Sequence, residues 1–247
     1  MAVASTSPAA ITRALERMAR PPGEFNAQRY FRGDDGLRFY NIGTKPIRAF
    51  ARSIYVANRD RWSVNDAMRF ADALIVDPYL ETKSVGIEVV ARFRRNFTPN
   101  LLGRWKRWLS GNHSANWATT DTICGLLIGP LLVEYPALAG RLRVWAKDRN
   151  MWVRRASIVG LIPLVRKGMA LDTAYEIAQT LRTDTHDLIQ KAVGWTLREA
   201  GKVDSQRLEN HLRSHGRSIP RTTIRYAIER FPDSKRRALL EATRPES

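Results

Sequence analysis

The chain has 247 residues, 44% of them apolar, which is enough for a sizeable core and excludes a disordered polyelectrolyte. Lys and Arg number 41 against 24 Asp and Glu, a net charge of +17 that solubility alone does not require, so a polyanionic partner is expected and nucleic acid comes first. A membrane partner is disfavoured, because there is no run of about 18 apolar residues and no signal-peptide core after the start, and the protein is expected to be soluble and cytoplasmic. The single Cys124 excludes an intrachain disulfide, a cysteine zinc site and an iron–sulfur cluster; the four histidines are read as lacking HxxxH and HExxH spacing, so no metal or other cofactor is expected.

Residues 1 to about 9 are small and polar and are predicted to fray. Thr44-Lys45-Pro46 reads as an N-cap followed by an early proline, and Ile47, Phe50, Ala51, Ile54 and Tyr55 then recur at helical spacing. Ser63 to Ile75 repeats the pattern through Val64, Ala67, Met68, Ala71 and Leu74, until Asp77-Pro78 ends it. Further helices are predicted at about 80–97, 99–110, 115–129, 136–147, 151–166, 170–182, 186–201, 203–213, 220–230 and 233–243, with short breaks carrying Gly, Pro, Asn or Asp between them. No strand pair or Gly-rich phosphate loop interrupts the series. Trp117, Trp152 and Trp195 are 35 and 43 residues apart, close to the length of a two-helix repeat. The expected fold is therefore all-α: a HEAT-like helical repeat solenoid, a single domain over 1–247, curved around a concave face that holds the partner.

Two of these tryptophans keep polar company. Asp121 follows Trp117 by four residues, one helical turn or about 6 Å along the axis. Around Trp195, Lys191, Arg198 and Lys202 lie at i−4, i+3 and i+7, so the indole shares a helix face with cations while Ile189, Val193 and Leu197 form the apolar stripe. Such a face suits an anionic, partly apolar partner such as a sugar-phosphate edge.

The segments Asn116-Trp117-Ala118-Thr119-Thr120-Asp121, Asn150-Met151-Trp152-Val153-Arg154-Arg155 and Gln190-Lys191-Ala192-Val193-Gly194-Trp195-Thr196-Leu197-Arg198-Glu199, with Tyr40-Asn41-Ile42-Gly43-Thr44 near the start, resemble the AlkD-type DNA glycosylases of the DNA alkylation repair superfamily. The likeness extends over about residues 25–240; it departs at Ala118, where many members carry an acid. It implies HEAT-like repeats on duplex DNA and hydrolysis of the N-glycosidic bond of cationic N3- and N7-alkylated purines, without extruding the base. On this resemblance Asp121, Trp117 and Trp195 are catalytic. Arg155 matches the family arginine and Tyr30 is carried over from the family; with Lys191, Arg198 and Lys202 of the Trp195 face and with Arg154 and Trp152, they are the expected DNA contacts. A monofunctional enzyme is implied, acting as a monomer close to the nucleoid. Some members confer self-resistance to bulky DNA-alkylating antibiotics, so bulky N3-adenine adducts are expected substrates too.

Plainer readings compete. Trp152, Trp105, Trp108, Trp145 and Trp62 fit a core. Asp121 could sit in a first turn and favour the helix dipole, Arg155 could be a surface cation or phosphate contact, and Arg92/Arg94/Arg95 and Arg104/Lys106/Arg107 could be solvated faces or phosphate ligands. The rival function is a non-catalytic HEAT-repeat module that binds DNA or RNA structure, which would have no use for Asp121 beside indoles. A protein-binding scaffold leaves the charge unexplained.

Overall fold

A computed structural model describes residues 6–23, 31, 36–114 and 116–244. The regular secondary structure of these residues is helical, with one isolated bridge between Arg38 and Tyr79 and no strand among them. None of their helices is long and apolar enough to cross a membrane. The chain divides into two compact units, Met1–Leu127 and Ile128–Ser247.

In the first unit, α1 (Pro8–Met18) begins inside the stretch expected to fray. The reason is local: the Ser7 side chain accepts the Ala10 N–H and Pro8 fills the first helical position. α2 (Thr44–Asn58) starts one residue earlier than predicted, with Thr44 already helical behind an extended Gly43 that supplies no side-chain cap. α3 (Val64–Ile75) opens with a reciprocal Ser63/Asp66 capping box. α4 (Leu80–Arg92) is the central element and packs against α1, α2 and α3. Only its tight contact with α3 needs a glycine, because a Cβ on Gly86 would lie 3.2 Å from the Ala71 Cα. A 3-10 turn (Arg94–Asn96), α5 (Leu101–Ser110) and α6 (Trp117–Ile123) complete the unit.

Two charged residues of α4, Glu81 and Lys83, are buried. The Glu81 carboxylate accepts the backbone N–H groups of Tyr40 and Ile42, each at 3.1 Å, and so fixes the Tyr40–Thr44 segment. Lys83 lies two residues further on, 3% exposed.

In the second unit α7 (Gly129–Glu134) follows a π-helical turn at Cys124–Ile128, so the helix predicted to stop near residue 129 continues. Pro130 does not end it; it falls in the first turn of α7, directly after the π-helical turn. The predicted 136–147 helix is mostly a 3-10 segment (Pro136–Arg141) ending in α8 (Leu142–Trp145). The predicted 151–166 helix is split into α9 (Met151–Val159) and α10 (Ile162–Val165) at Gly160 and Leu161, just before Pro163. α11 (Leu171–Thr180), α12 (Asp187–Val203), α13 (Ser205–His215), α14 (Arg221–Ala227) and α15 (Asp233–Ala242) follow. α12 is the centre here and packs on α9, α10, α11, α13 and α14.

Side-chain bonds repeat at the period of the sequence. In the second unit Arg154 pairs with Asp184, Arg166 with Glu199 and Arg198 with Glu229, while Thr223 donates to the Gln190 carbonyl and Thr196 to that of Ile158. In the first, Arg104 and the Trp108 indole both bond Asp72. All these partners are 30 to 38 residues apart, so each repeat is tied to the next by polar bonds as well as by its apolar face.

α12 and α14 touch through Gly194. A Cβ there would lie 2.5 Å from the Tyr226 Cβ and 2.6 Å from the Thr223 carbonyl oxygen, and backbone cannot swing aside. Gly194→Ala is therefore expected to destabilise the fold by about 3 kcal/mol, at the upper end of overpacking costs. A drop in the urea midpoint with an unchanged slope would register it; an unchanged midpoint would show that the crossing is looser than this.

His211 on α13 lies between the Tyr175 and His215 rings, with centroids 4.9 and 5.0 Å away. Burial, and then the neighbouring His215 and Arg207, push its pKa down to about 4. The folded state thus holds this proton less tightly than the unfolded chain, whose histidine titrates near 6.5. The stability it contributes is complete above about pH 6.5 and is lost as pH falls towards 4, on the order of 3 kcal/mol in all. Urea midpoints across that window are expected to fall for the wild type and to flatten in His211→Leu; parallel curves would overturn the assignment. His211 and His215 are four residues apart, which corrects the reading that the histidines lack HxxxH spacing; among the described residues no three metal-ligating side chains come together.

Candidate functional site

Asn116 builds the start of α6. Its side chain accepts the Thr119 N–H at 2.7 Å and donates to the Ser114 carbonyl at 2.8 Å and to the Thr119 hydroxyl at 2.9 Å. The Thr120 hydroxyl closes back on the Asn116 carbonyl at 2.9 Å. Trp117 is consequently the first helical residue. Asp121 stands one turn later, beyond the first turn of α6, so the helix-dipole reading of this acid loses its basis. Both side chains are half-buried, on the same face. The Trp117 ring stacks on Phe31 at 5.2 Å and 19°, and Phe31 packs against Phe39 at 5.4 Å. Phe31 was not singled out in the sequence, where it is an aromatic residue beside Tyr30 with no periodic context. Tyr30 itself lies outside the described residues.

In the second unit the exposure pattern of α12 follows its sequence pattern. Ile189, Val193 and Leu197 are buried, whereas Lys191, Trp195 and Arg198 are half-buried and Lys202 is exposed, so indole and cations share one stripe. Each cation is already engaged. Lys191 pairs with Asp187 at 2.6 Å, and this bond raises its pKa. Arg198 pairs with Glu229. Lys202 bonds Glu199 at 2.7 Å, and Arg166 bonds the same carboxylate at 2.9 Å. Burial works to raise the Glu199 pKa, but the hydrogen bonds from Lys202 and Arg166 outweigh it and leave it lowered.

Tyr226, set against α12 at Gly194 and 38% exposed, is an aromatic neighbour of this stripe that sequence reasoning missed. Its signal was present in α14 as a tyrosine flanked by Arg225, but a short helix gave no periodicity to place it.

Arg154, Arg155 and Trp152 lie on α9, which Asn150 caps by accepting the Trp152 N–H at 2.8 Å. Arg155 is 5% exposed and donates to the Leu188 carbonyl in the first turn of α12. A buried guanidinium bound to backbone is not the surface cation that the plainer reading offered. Arg154 bonds Asp184 at 2.7 Å and the carbonyls of Asp148 and Arg149 at 3.1 and 2.9 Å. Trp152 is 9% exposed and packs in the core, as do Trp105, Trp108 and Trp145; Trp62 is half-buried. The two groups thus offer a carboxylate beside one indole and a second indole among restrained cations.

No curated protein matches the sequence. In fold the chain is similar to a solved structure named as a predicted DNA alkylation repair enzyme from Enterococcus faecalis, with a TM-score of 0.73 at 16% identity over 83% of this chain and 93% of that one. A family model described as DNA alkylation repair enzyme matches residues 11–231, nearly the whole length, and the chain therefore belongs to the DNA alkylation repair enzyme family.

Proposed function

We propose that the protein is a monofunctional DNA glycosylase that hydrolyses the N-glycosidic bond of cationic N3- and N7-alkylated purines in duplex DNA. The observation that carries this reading is the half-buried Trp117–Asp121 pair, one turn apart on a helix of fixed start, in a member of a DNA alkylation repair family. Alkylation at N3 or N7 places a positive charge on the base, so the base departs neutral and needs little help from a general acid. What remains is to stabilise an oxocarbenium-like sugar and to deliver water. Asp121 offsets the developing charge and aligns the water. The face of Trp117 packs on the deoxyribose and adds cation–π attraction, on the order of 0.5–2 kcal/mol per ring, and the resemblance assigns Trp195 the same kind of role. No covalent lysine adduct is needed, so no strand cleavage accompanies excision.

Recognition in this proposal uses sugar and phosphate, and the base stays in the stack, unlike enzymes that draw it into a pocket. Residues 1–247 act as one HEAT-like domain and as a monomer, with Lys191, Arg198, Lys202 and Arg154 near the backbone of the DNA. A site that does not enclose the base sets no limit on its size, so bulky N3-adenine adducts are substrates as well, as self-resistance to alkylating antibiotics would require.

The test uses two duplex oligonucleotides, one with N7-methylguanine and one with a bulky minor-groove N3-adenine adduct, each incubated with excess protein and then cleaved with alkali at any abasic site. Cleavage of both is expected. If neither is cleaved although both bind, the non-catalytic module is the correct reading. Release of methylguanine alone would overturn the open-site recognition while keeping the glycosylase.

A further inference from the structure

The Lys83 ammonium lies in the interior of the first unit, 3% exposed, and forms no ion pair among the described residues. It donates to the Ile75 carbonyl at 2.7 Å and to the His113 carbonyl at 2.8 Å. Ile75 is the last residue of α3, whose carbonyl has no partner within its own helix. His113 belongs to the loop between α5 and α6. That loop is held at its start by the His113 N–H on the Trp108 carbonyl at 2.9 Å, and at its end by Asn116 on the Ser114 carbonyl. Lys83 grips it between these points, four residues before Trp117.

Burying an ammonium without a carboxylate partner is costly, and burial pushes the Lys83 pKa down to about 8 against an opposing pull from Asp77. A methionine of similar length would fill the space without that cost. Joining the end of α3 to the loop needs a long side chain with several donors, and only the loop leads directly to the Trp117–Asp121 pair.

We infer that Lys83 is a positioning residue, which sets the loop before α6 and through it the placement of the Trp117 indole and the Asp121 carboxylate. This rests on the glycosylase reading for its catalytic consequence but not for its structural one. The test pairs Lys83→Met with two readouts on the full chain. In protein labelled with 5-fluorotryptophan, the resonance identified by its loss in Trp117→Phe is expected to shift or broaden, while those of Trp152 and Trp195 stay in place. Single-turnover excision is expected to fall about 10- to 100-fold, the scale of a small misplacement of reacting groups, with DNA affinity within about 2-fold and no loss in melting temperature.

A Trp117 resonance and an excision rate that both match wild type would overturn the inference. So would equal losses of rate, affinity and melting temperature, the pattern of a residue that only holds the fold. If the wild type excises nothing while the resonance still moves, the glycosylase reading fails and the positioning role stands. Should Lys83→Met not fold, Lys83→Gln, which keeps donors but is too short to span both carbonyls, is expected to shift the same resonance, and an unmoved signal would overturn the inference.

Discussion

Asp121→Asn is expected to lower single-turnover excision about 10²–10³-fold, or roughly 2.7–4 kcal/mol, which is what removal of one preorganised electrostatic group costs. The substitution keeps the size of the side chain and removes only its charge. Asn116 and its bonds to Ser114 and Thr119 do not involve Asp121, so the start of α6 and the stacking of Trp117 on Phe31 should survive. Affinity for duplex DNA should be equal or slightly higher, because a negative charge near phosphates has gone. Rates with excess protein on the N7-methylguanine duplex, beside binding measured by anisotropy, separate the two effects. Turnover equal to wild type would remove Asp121 from the mechanism.

Affinity for duplex DNA is expected to fall about 10³-fold between 50 and 200 mM salt, if about six phosphates are neutralised, since each released counterion adds close to one unit of logarithmic slope. We propose that the cations without an acidic partner contribute most to that slope. Arg149, Arg225 and Arg230 are exposed and form no ion pair among the described residues, whereas Arg154, Lys191, Arg198 and Lys202 each hold an acid. A paired cation gains less from a phosphate, because it gives up a carboxylate or shares itself with one. Arg155→Ala is expected to leave the slope unchanged, because its buried guanidinium is spent on the Leu188 carbonyl. A slope near zero for the wild type would mean that the +17 charge serves another partner.

Much of this molecule is written in local sequence. The apolar spacing in Val64, Ala67, Met68, Ala71 and Leu74 places α3 and its buried face, because a helix repeats every 3.6 residues wherever it packs. The same rule placed the cation-and-indole stripe of α12 and the one-turn spacing of Trp117 and Asp121. Of the separations of 35 and 43 residues between the three tryptophans, the first falls among the 30 to 38 residues that separate the bonded partners of successive repeats and the second exceeds them. Helix ends were less legible. Pro130 reads as a break in sequence, yet the chain stays helical through a π turn directly ahead of it.

Long-range partners were decided by the tertiary structure alone. Nothing near Arg155 in the chain shows that its guanidinium will be buried against a carbonyl 33 residues away, or that Lys191, Arg198 and Lys202 will each meet an acid. Lys83 looks like one more cation in a basic chain, and Phe31 like one more aromatic residue. Their roles depend on which backbone carbonyl and which ring packing brings within about 3 and 5 Å, and hydrogen bonds and ring contacts act only at such range. Sequence period therefore determined which faces the helices present, and tertiary packing decided which charges on those faces remain available to a polyanion.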